Sequence, residues 1–132
     1  MICAGEIYDY LNDAAPFETA MGFDNVGLLV GSREQTSEKV FVALDATKEV
    51  LKEAAAAGAK IVVTHHPIIF HPIRSLMSDS IPYLAVQLGI TVISAHTNLD
   101  IAKGGVNDTL AKFIGIKEEM RFDDDCACLG YL

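Results

Sequence analysis

Two adjacent histidines, His65 and His66, close the apolar run Ile61-Val62-Val63-Thr64 and are followed by Pro67. Neutral imidazole is the commonest protein ligand for transition metals. The stretch Ser94-Ala95-His96-Thr97-Asn98-Leu99-Asp100 repeats the layout: an apolar strand, then His and Asp just past its end. These residues point to metal binding at a site built from the ends of neighbouring strands. Imidazole and carboxylate together suit zinc, iron or manganese rather than calcium. Successive residues leaving a strand point in opposite directions. His65 and His66 are therefore expected to serve two ions, one each, with Asp100 as the bridging carboxylate. A carboxylate between two cations about 3.5 Å apart is how two-metal hydrolytic sites activate a shared water. His96 is the candidate acid or base. Asp45, after another apolar run, reads as a helix cap. His71, in a loop, reads as a surface or supporting residue rather than a ligand.

The elements that must position these residues follow from apolar periodicity. Ile7, Tyr8, Leu11 and Ala15 recur at helical spacing, predicting an amphipathic helix over 4–14 that Pro16 stops. Phe23 to Gly31 reads as a turn, a short strand and a glycine stop. Lys39 to Leu44 is apolar almost throughout, as in a strand covered on both faces of a parallel sheet. Asp45 and Thr47 are candidate caps for a helix over 48–57, closed by Gly58. Ala59 to Thr64 is the next buried strand, and 67–78 is a loop pinned by Pro67 and Pro72. Asp79 or Ser80 caps a helix to Leu88 with Pro82 in its first turn. Ile90 to Ala95 is a third buried strand. Gly104-Gly105 leads into a helix over 106–114 with Val106, Leu110 and Phe113 on one face. This alternation predicts an α/β fold, a mostly parallel sheet with helices on its faces and the metal site at the carboxyl ends of the strands. The acidic tail from Glu118, through Asp123-Asp124-Asp125 to Cys126-Ala127-Cys128, carries no stop signal and reads as a chain that continues.

The chain has 132 residues, 51% hydrophobic and 21% charged, which fits one domain, 1–132, with a modest core. A net charge of -8 argues against a nucleic-acid partner, which needs clustered Lys and Arg. Cys3, Cys126 and Cys128 have no disulfide or zinc spacing and read as free thiols. No apolar run approaches the roughly 20 residues of a membrane span. The N-terminus has no basic leader, so the cytoplasm is the expected location.

The runs Asp24-Asn25-Val26-Gly27-Leu28, Thr64-His65-His66-Pro67-Ile68-Ile69-Phe70 and Ala95-His96-Thr97-Asn98-Leu99-Asp100, with Gly105-Val106-Asn107-Asp108, resemble the Nif-three-like dinuclear-metal family. Members of that family carry the name GTP cyclohydrolase I type 2. The resemblance covers the chain to about residue 117. It implies an α/β protein in a homo-oligomer, a toroidal hexamer, with two divalent metal ions per subunit facing an inner cavity. By position, His65 and His66 would be metal ligands, Asp100 the bridging carboxylate and His96 a residue lining the site. Asp24 and Asn25 match a shared motif without an assigned role, and Gly27 serves a backbone turn. The family completes its site with a His and a Glu from a C-terminal segment that this sequence does not show. Where the family has Gly-Arg-apolar-Gly, this chain reads Gly130-Tyr131-Leu132. The chain is therefore expected to be the N-terminal part of a longer family member.

Two readings of function follow. The first is a metal-dependent hydrolase acting on an unidentified small molecule. The second is a metal-binding regulatory or protein-interaction module without catalysis. A third, plain polar strand ends with no joint role, requires His65, His66 and Asp100 to lie apart. No Gly-rich phosphate loop of the Walker type is present.

Overall fold

The computed structural model describes residues 1–132, and the side chains of all of them except Glu118 and Glu119. In chain order the elements are β1 (Ile2–Cys3), α1 (Ala4–Ala14), a short 3-10 turn (Phe17–Thr19), β2 (Gly27–Val30), β3 (Thr36–Ser37), β4 (Val40–Ala43), α2 (Lys48–Ala56), β5 (Ile61–Thr64), α3 (Ile81–Gln87), β6 (Thr91–Ser94), α4 (Thr97–Ile101), α5 (Val106–Ile114), β7 (Lys117–Phe122) and β8 (Ala127–Tyr131). The fold is mixed α/β. Its central sheet has the order β2-β6-β5-β4. β4, β5 and β6 are parallel, and β2 runs antiparallel against β6.

The sheet is covered on both faces because its strands alternate. Ile61 and Ile93 face α1, where they bury Ala4 and meet Ile7, Tyr8 and Leu11. Val62 and Val92, the sequence neighbours of Ile61 and Ile93, face the opposite side and pack with Leu51, Ala54 and Ala85 of α2 and α3. Leu51, Ile61, Val62, Val92 and Ile93 are all fully buried. Each removes apolar surface worth about 1.5–3 kcal/mol from water. Register then fixes what leaves the sheet. Ala43 pairs with Thr64 and Thr64 with Ser94, so three parallel strands end level. β2 starts at the same edge, because Gly27 pairs with Ser94. Gly27 takes a positive φ of 98°, which a side chain would oppose, so the chain turns into the sheet there.

Several local expectations change. The sheet is mostly parallel, as expected; the sequence did not indicate that β2 is its antiparallel strand. Thr47, not Asp45, caps α2, its hydroxyl accepting from the Val50 amide at 3.2 Å. Residues 97–101 form a helical turn where the sequence suggested only a strand end. The acidic tail is an antiparallel hairpin, β7 with β8. Its turn uses positive φ at Asp123, Asp124 and Asp125, a conformation that Asp tolerates better than most residues. The side chains of Asn107 and Asp108 hold it to α5, through the Cys126 carbonyl and Arg121. Val106, Leu110 and Phe113 of α5 do share a face, but it is exposed, Phe113 at 87%. Among the described residues no helix is long and apolar enough to cross a membrane.

Candidate metal centre

The level strand ends put four segments side by side. β5 delivers His65 and His66, β6 delivers His96, β4 delivers Asp45, and the approach to β2 delivers Asp24. The antiparallel direction of β2 matters here: its beginning, not its end, lies beside the carboxyl ends of the others. Thr64 and Ser94, the last residues of their strands, bond hydroxyl to hydroxyl at 2.8 Å and lock the two histidine segments together.

His65, His66 and His96 each offer a ring nitrogen within 4.8 Å of the others. The ring centroids lie 5.0 to 5.5 Å apart. The adjacent histidines do not point apart, as an extended backbone would require. The chain bends after Thr64, whose hydroxyl donates to the His66 carbonyl at 2.9 Å, and both imidazoles turn to the same side. Asp100 Oδ1 lies 3.4 Å from His65 Nε2. It sits one helical turn after His96, on the short helix α4, so helical geometry returns it to the site. His65, His66 and Asp100 therefore lie together, which excludes the reading of unconnected strand ends.

Every imidazole is held at the same atom. Nδ1 of His65 bonds the Ala95 carbonyl at 2.9 Å. Nδ1 of His66 bonds Asp45 Oδ1 at 2.7 Å. Nδ1 of His96 bonds the two oxygens of Asp24 at 3.0 and 3.1 Å. Carbonyl and carboxylate oxygens only accept, so each ring donates from Nδ1 and keeps its Nε2 lone pair. That is the tautomer a metal needs, fixed by an outer layer of oxygen partners. The donor set fits a divalent transition ion: neutral imidazoles, a nearby carboxylate and no thiol. Asp45 is thus an orienting partner of His66 rather than a cap.

Asp24 is the best-held polar group of the site. Its side chain is fully buried. It accepts from the Thr97 amide at 3.0 Å, the Thr97 hydroxyl at 2.6 Å and the Asn25 amide at 2.8 Å, besides His96. Burial pushes its carboxyl up, but the bonds from Thr97, His96 and Asn25 outweigh that and hold it below the usual aspartate range. Asn98, also buried, accepts from the His96 amide and donates to the Ala15 carbonyl at 2.7 Å, tying α4 to the end of α1. Asn25 donates to the Ile69 carbonyl at 2.6 Å and fixes the loop beyond the histidines. Sequence reasoning missed the parts played by Asp24, Thr97 and Asn98. The signal was their place inside the motifs, but their partners lie up to 83 residues away. His71 stands beside Phe70, outside the group of three imidazoles. The three cysteines are free thiols. Burial and the surrounding carboxylates, led by Asp123, push the Cys126 thiol up, away from reactivity.

The sequence pattern of the Duf34/NIF3 (NGG1p interacting factor 3) family matches residues 2–132. The chain belongs to the Duf34/NIF3 family. Among its relatives, the "GTP cyclohydrolase 1 type 2 homolog" of Clostridium perfringens is 40% identical over 122 residues, 89% of this chain and 47% of the relative. The protein of the same name from Halalkalibacterium halodurans is 41% identical over 108 residues, 79% of this chain and 29% of the relative. Reduced HcgD from Methanocaldococcus jannaschii superposes with a TM-score of 0.84 at 34% identity, over 93% of this chain and 51% of that one. Staphylococcus aureus protein SA1388 superposes with a TM-score of 0.82 at 39% identity, over 88% of this chain and 34% of that one. This Duf34/NIF3 chain spans less than half the length of those curated relatives.

Proposed function

We propose that this chain binds divalent transition-metal ions through His65, His66 and His96, with Asp100 as an additional or bridging ligand, and acts as a metal-dependent hydrolase. The observation that carries the reading is the uniform fixing of the three imidazoles at Nδ1, which turns their Nε2 atoms into a ready donor set. Zinc, iron or manganese bound there supplies Lewis acidity and activation of water. The protein's own contribution is to hold the rings. Asp24, buried behind His96, accepts from Nδ1 of that ring with both carboxylate oxygens. Asp45 accepts from Nδ1 of His66 at a more exposed position. Asp100, 3.4 Å from His65 Nε2, would join His65 on one ion or bridge to a second. The name of the curated relatives makes a nucleotide substrate one option, and their greater length leaves room for further ligands outside residues 1–132. Assembly as a homo-oligomer and a cytoplasmic location belong to the same reading.

The alternative, a metal-binding regulatory or protein-interaction module without catalysis, has one observation in its favour: the exposed apolar face of α5, formed by Val106, Leu110 and Phe113. Elemental analysis and titration of the chelator-treated chain with Zn2+, Fe2+ and Mn2+ test the metal site, and metal-dependent hydrolysis separates the two readings. The hydrolase reading expects stoichiometric uptake, lost in His65→Ala and His96→Ala at unchanged circular dichroism, and hydrolysis of p-nitrophenyl acetate that returns with the metal. Wild-type uptake no greater than that of the His65→Ala and His96→Ala variants overturns the metal site, and uptake without metal-dependent hydrolysis overturns the hydrolase reading.

A further inference from the structure

Beside His96 stands Phe70, and beside Phe70 stands Phe23, two aromatic rings that the fold holds in place without burying. Phe70 lies edge-on to His96, with ring centroids 6.4 Å apart at 86°. Phe23 lies 6.4 Å from Phe70, tilted at 54°. Phe23 is 65% exposed and Phe70 38%. An exposed aromatic alone needs no explanation. These two differ because the backbone beneath each is pinned. Phe23 precedes Asp24, whose side chain is fully buried and whose amide donates to the Met21 carbonyl at 2.8 Å. Phe70 follows Ile69, whose carbonyl is held by Asn25 and whose side chain, with that of Ile68, packs on the core. The residues that orient His96 and those that hold the rings are thus neighbours in sequence: Phe23-Asp24-Asn25 on one side, Ile69-Phe70 on the other.

We propose that Phe23 and Phe70 form an aromatic shelf that selects the substrate: a planar aromatic or heteroaromatic ring bearing an oxygen donor directed at the metal. The inference rests on the metal-binding reading above and adds the class of ligand. A small-molecule site combines apolar and aromatic walls with a few convergent polar groups. Here the convergent groups are the three imidazoles, and Phe70, with Phe23 behind it, stands next to one of them, His96. Ring-on-ring contact in offset or edge-to-face geometry favours a flat partner over a puckered one of equal size. Phe23 and Phe70 are specificity-determining residues under this proposal and hold no proton or metal.

The test uses two hydroxamates that bind metal through the same group. Benzohydroxamate carries a planar ring, and cyclohexanecarbohydroxamate carries a saturated one. Each is titrated calorimetrically into the zinc-loaded full chain, with zinc content measured on the same samples. The wild type is expected to bind the planar probe about five-fold more tightly. In the Phe23→Leu/Phe70→Leu double variant that ratio should fall to about one with zinc content unchanged, and Phe70→Trp should keep the preference. Equal affinity for the two probes in the wild type, or a preference that survives the double variant, overturns the shelf while leaving the metal site standing. Failure of the wild type to take up zinc overturns both.

Discussion

The carboxylate of Asp24 and the imidazole of His96 meet across 72 residues of sequence, Oδ1 to Nδ1 at 3.0 Å, with the carboxylate wholly buried. The pair joins the start of an antiparallel strand to the end of a parallel one. Replacing Asp24 by Asn removes the charge that favours the Nδ1 proton and leaves the Thr97 donors facing a weaker acceptor. Zinc affinity of Asp24→Asn should fall about 10- to 100-fold, the usual effect of losing a partner behind a metal-binding histidine. Loss of one hydrogen bond to a buried charge adds about 1.5–3 kcal/mol of destabilisation. Calorimetric zinc titration and a thermal melt read the two effects separately.

His66 rests on Asp45, and both are about half-exposed. Asp45→Asn should therefore weaken zinc binding less than Asp24→Asn does, because solvent can replace part of the lost interaction. Its melting temperature should stay within a degree or two of the wild type, since Thr47 and not Asp45 caps α2. A loss of helix on the scale expected for a broken cap, about 1 kcal/mol, would contradict this assignment.

The hydroxyls of Thr64 and Ser94 form a buried bond between the two strands that carry the histidines. Thr64→Val keeps shape and strand preference but strands the Ser94 hydroxyl and releases the His66 carbonyl. The expected cost is about 1–3 kcal/mol, together with weaker metal uptake. Ser94→Ala in the same background should recover part of the stability, because an unpaired hydroxyl is then no longer buried. It should not recover the metal affinity. A double-mutant cycle by chemical denaturation measures the coupling.

Docking of the tail hairpin should depend on pH through Asp108. The Gly104 amide first, and Arg121 second, hold the Asp108 carboxyl below the usual aspartate range. A lowered folded value means that the folded state favours the charged form. Its stabilisation is complete above the unfolded value and is lost as pH falls through the folded one. The β7–β8 hairpin should thus stay docked at neutral pH and loosen in acid, below the ordinary aspartate range. Amide hydrogen exchange of β8 residues should rise in that window in the wild type. In Asp108→Asn it should already be raised at neutral pH, with no further change across the same window.

Much was legible in the sequence because it is written in short range. Apolar runs and their alternation located β4, β5, β6, α1, α2, α3 and α5, since burial on one or both faces of a sheet dictates residue type directly. The histidine pair, His96 and Asp100 stood out by type and by repetition at equivalent strand ends. What the tertiary structure decided is everything that depends on register and direction. The reversal of β2 brought Asp24 to His96, and no periodicity in 24–30 encodes a strand's direction. The bend after Thr64 turned His65 and His66 to one side, against the alternation of an extended chain. Asp45 became a partner of His66 because Ala43 and Thr64 end level, a property of pairing between strands. Asp and Thr side chains can cap a helix or serve a neighbour equally well, and only position chooses. The sequence by itself determined which residues could hold a metal. The fold decided which oxygen stands behind each ring, because hydrogen-bond partners in an α/β sheet are set by strand order and not by proximity along the chain.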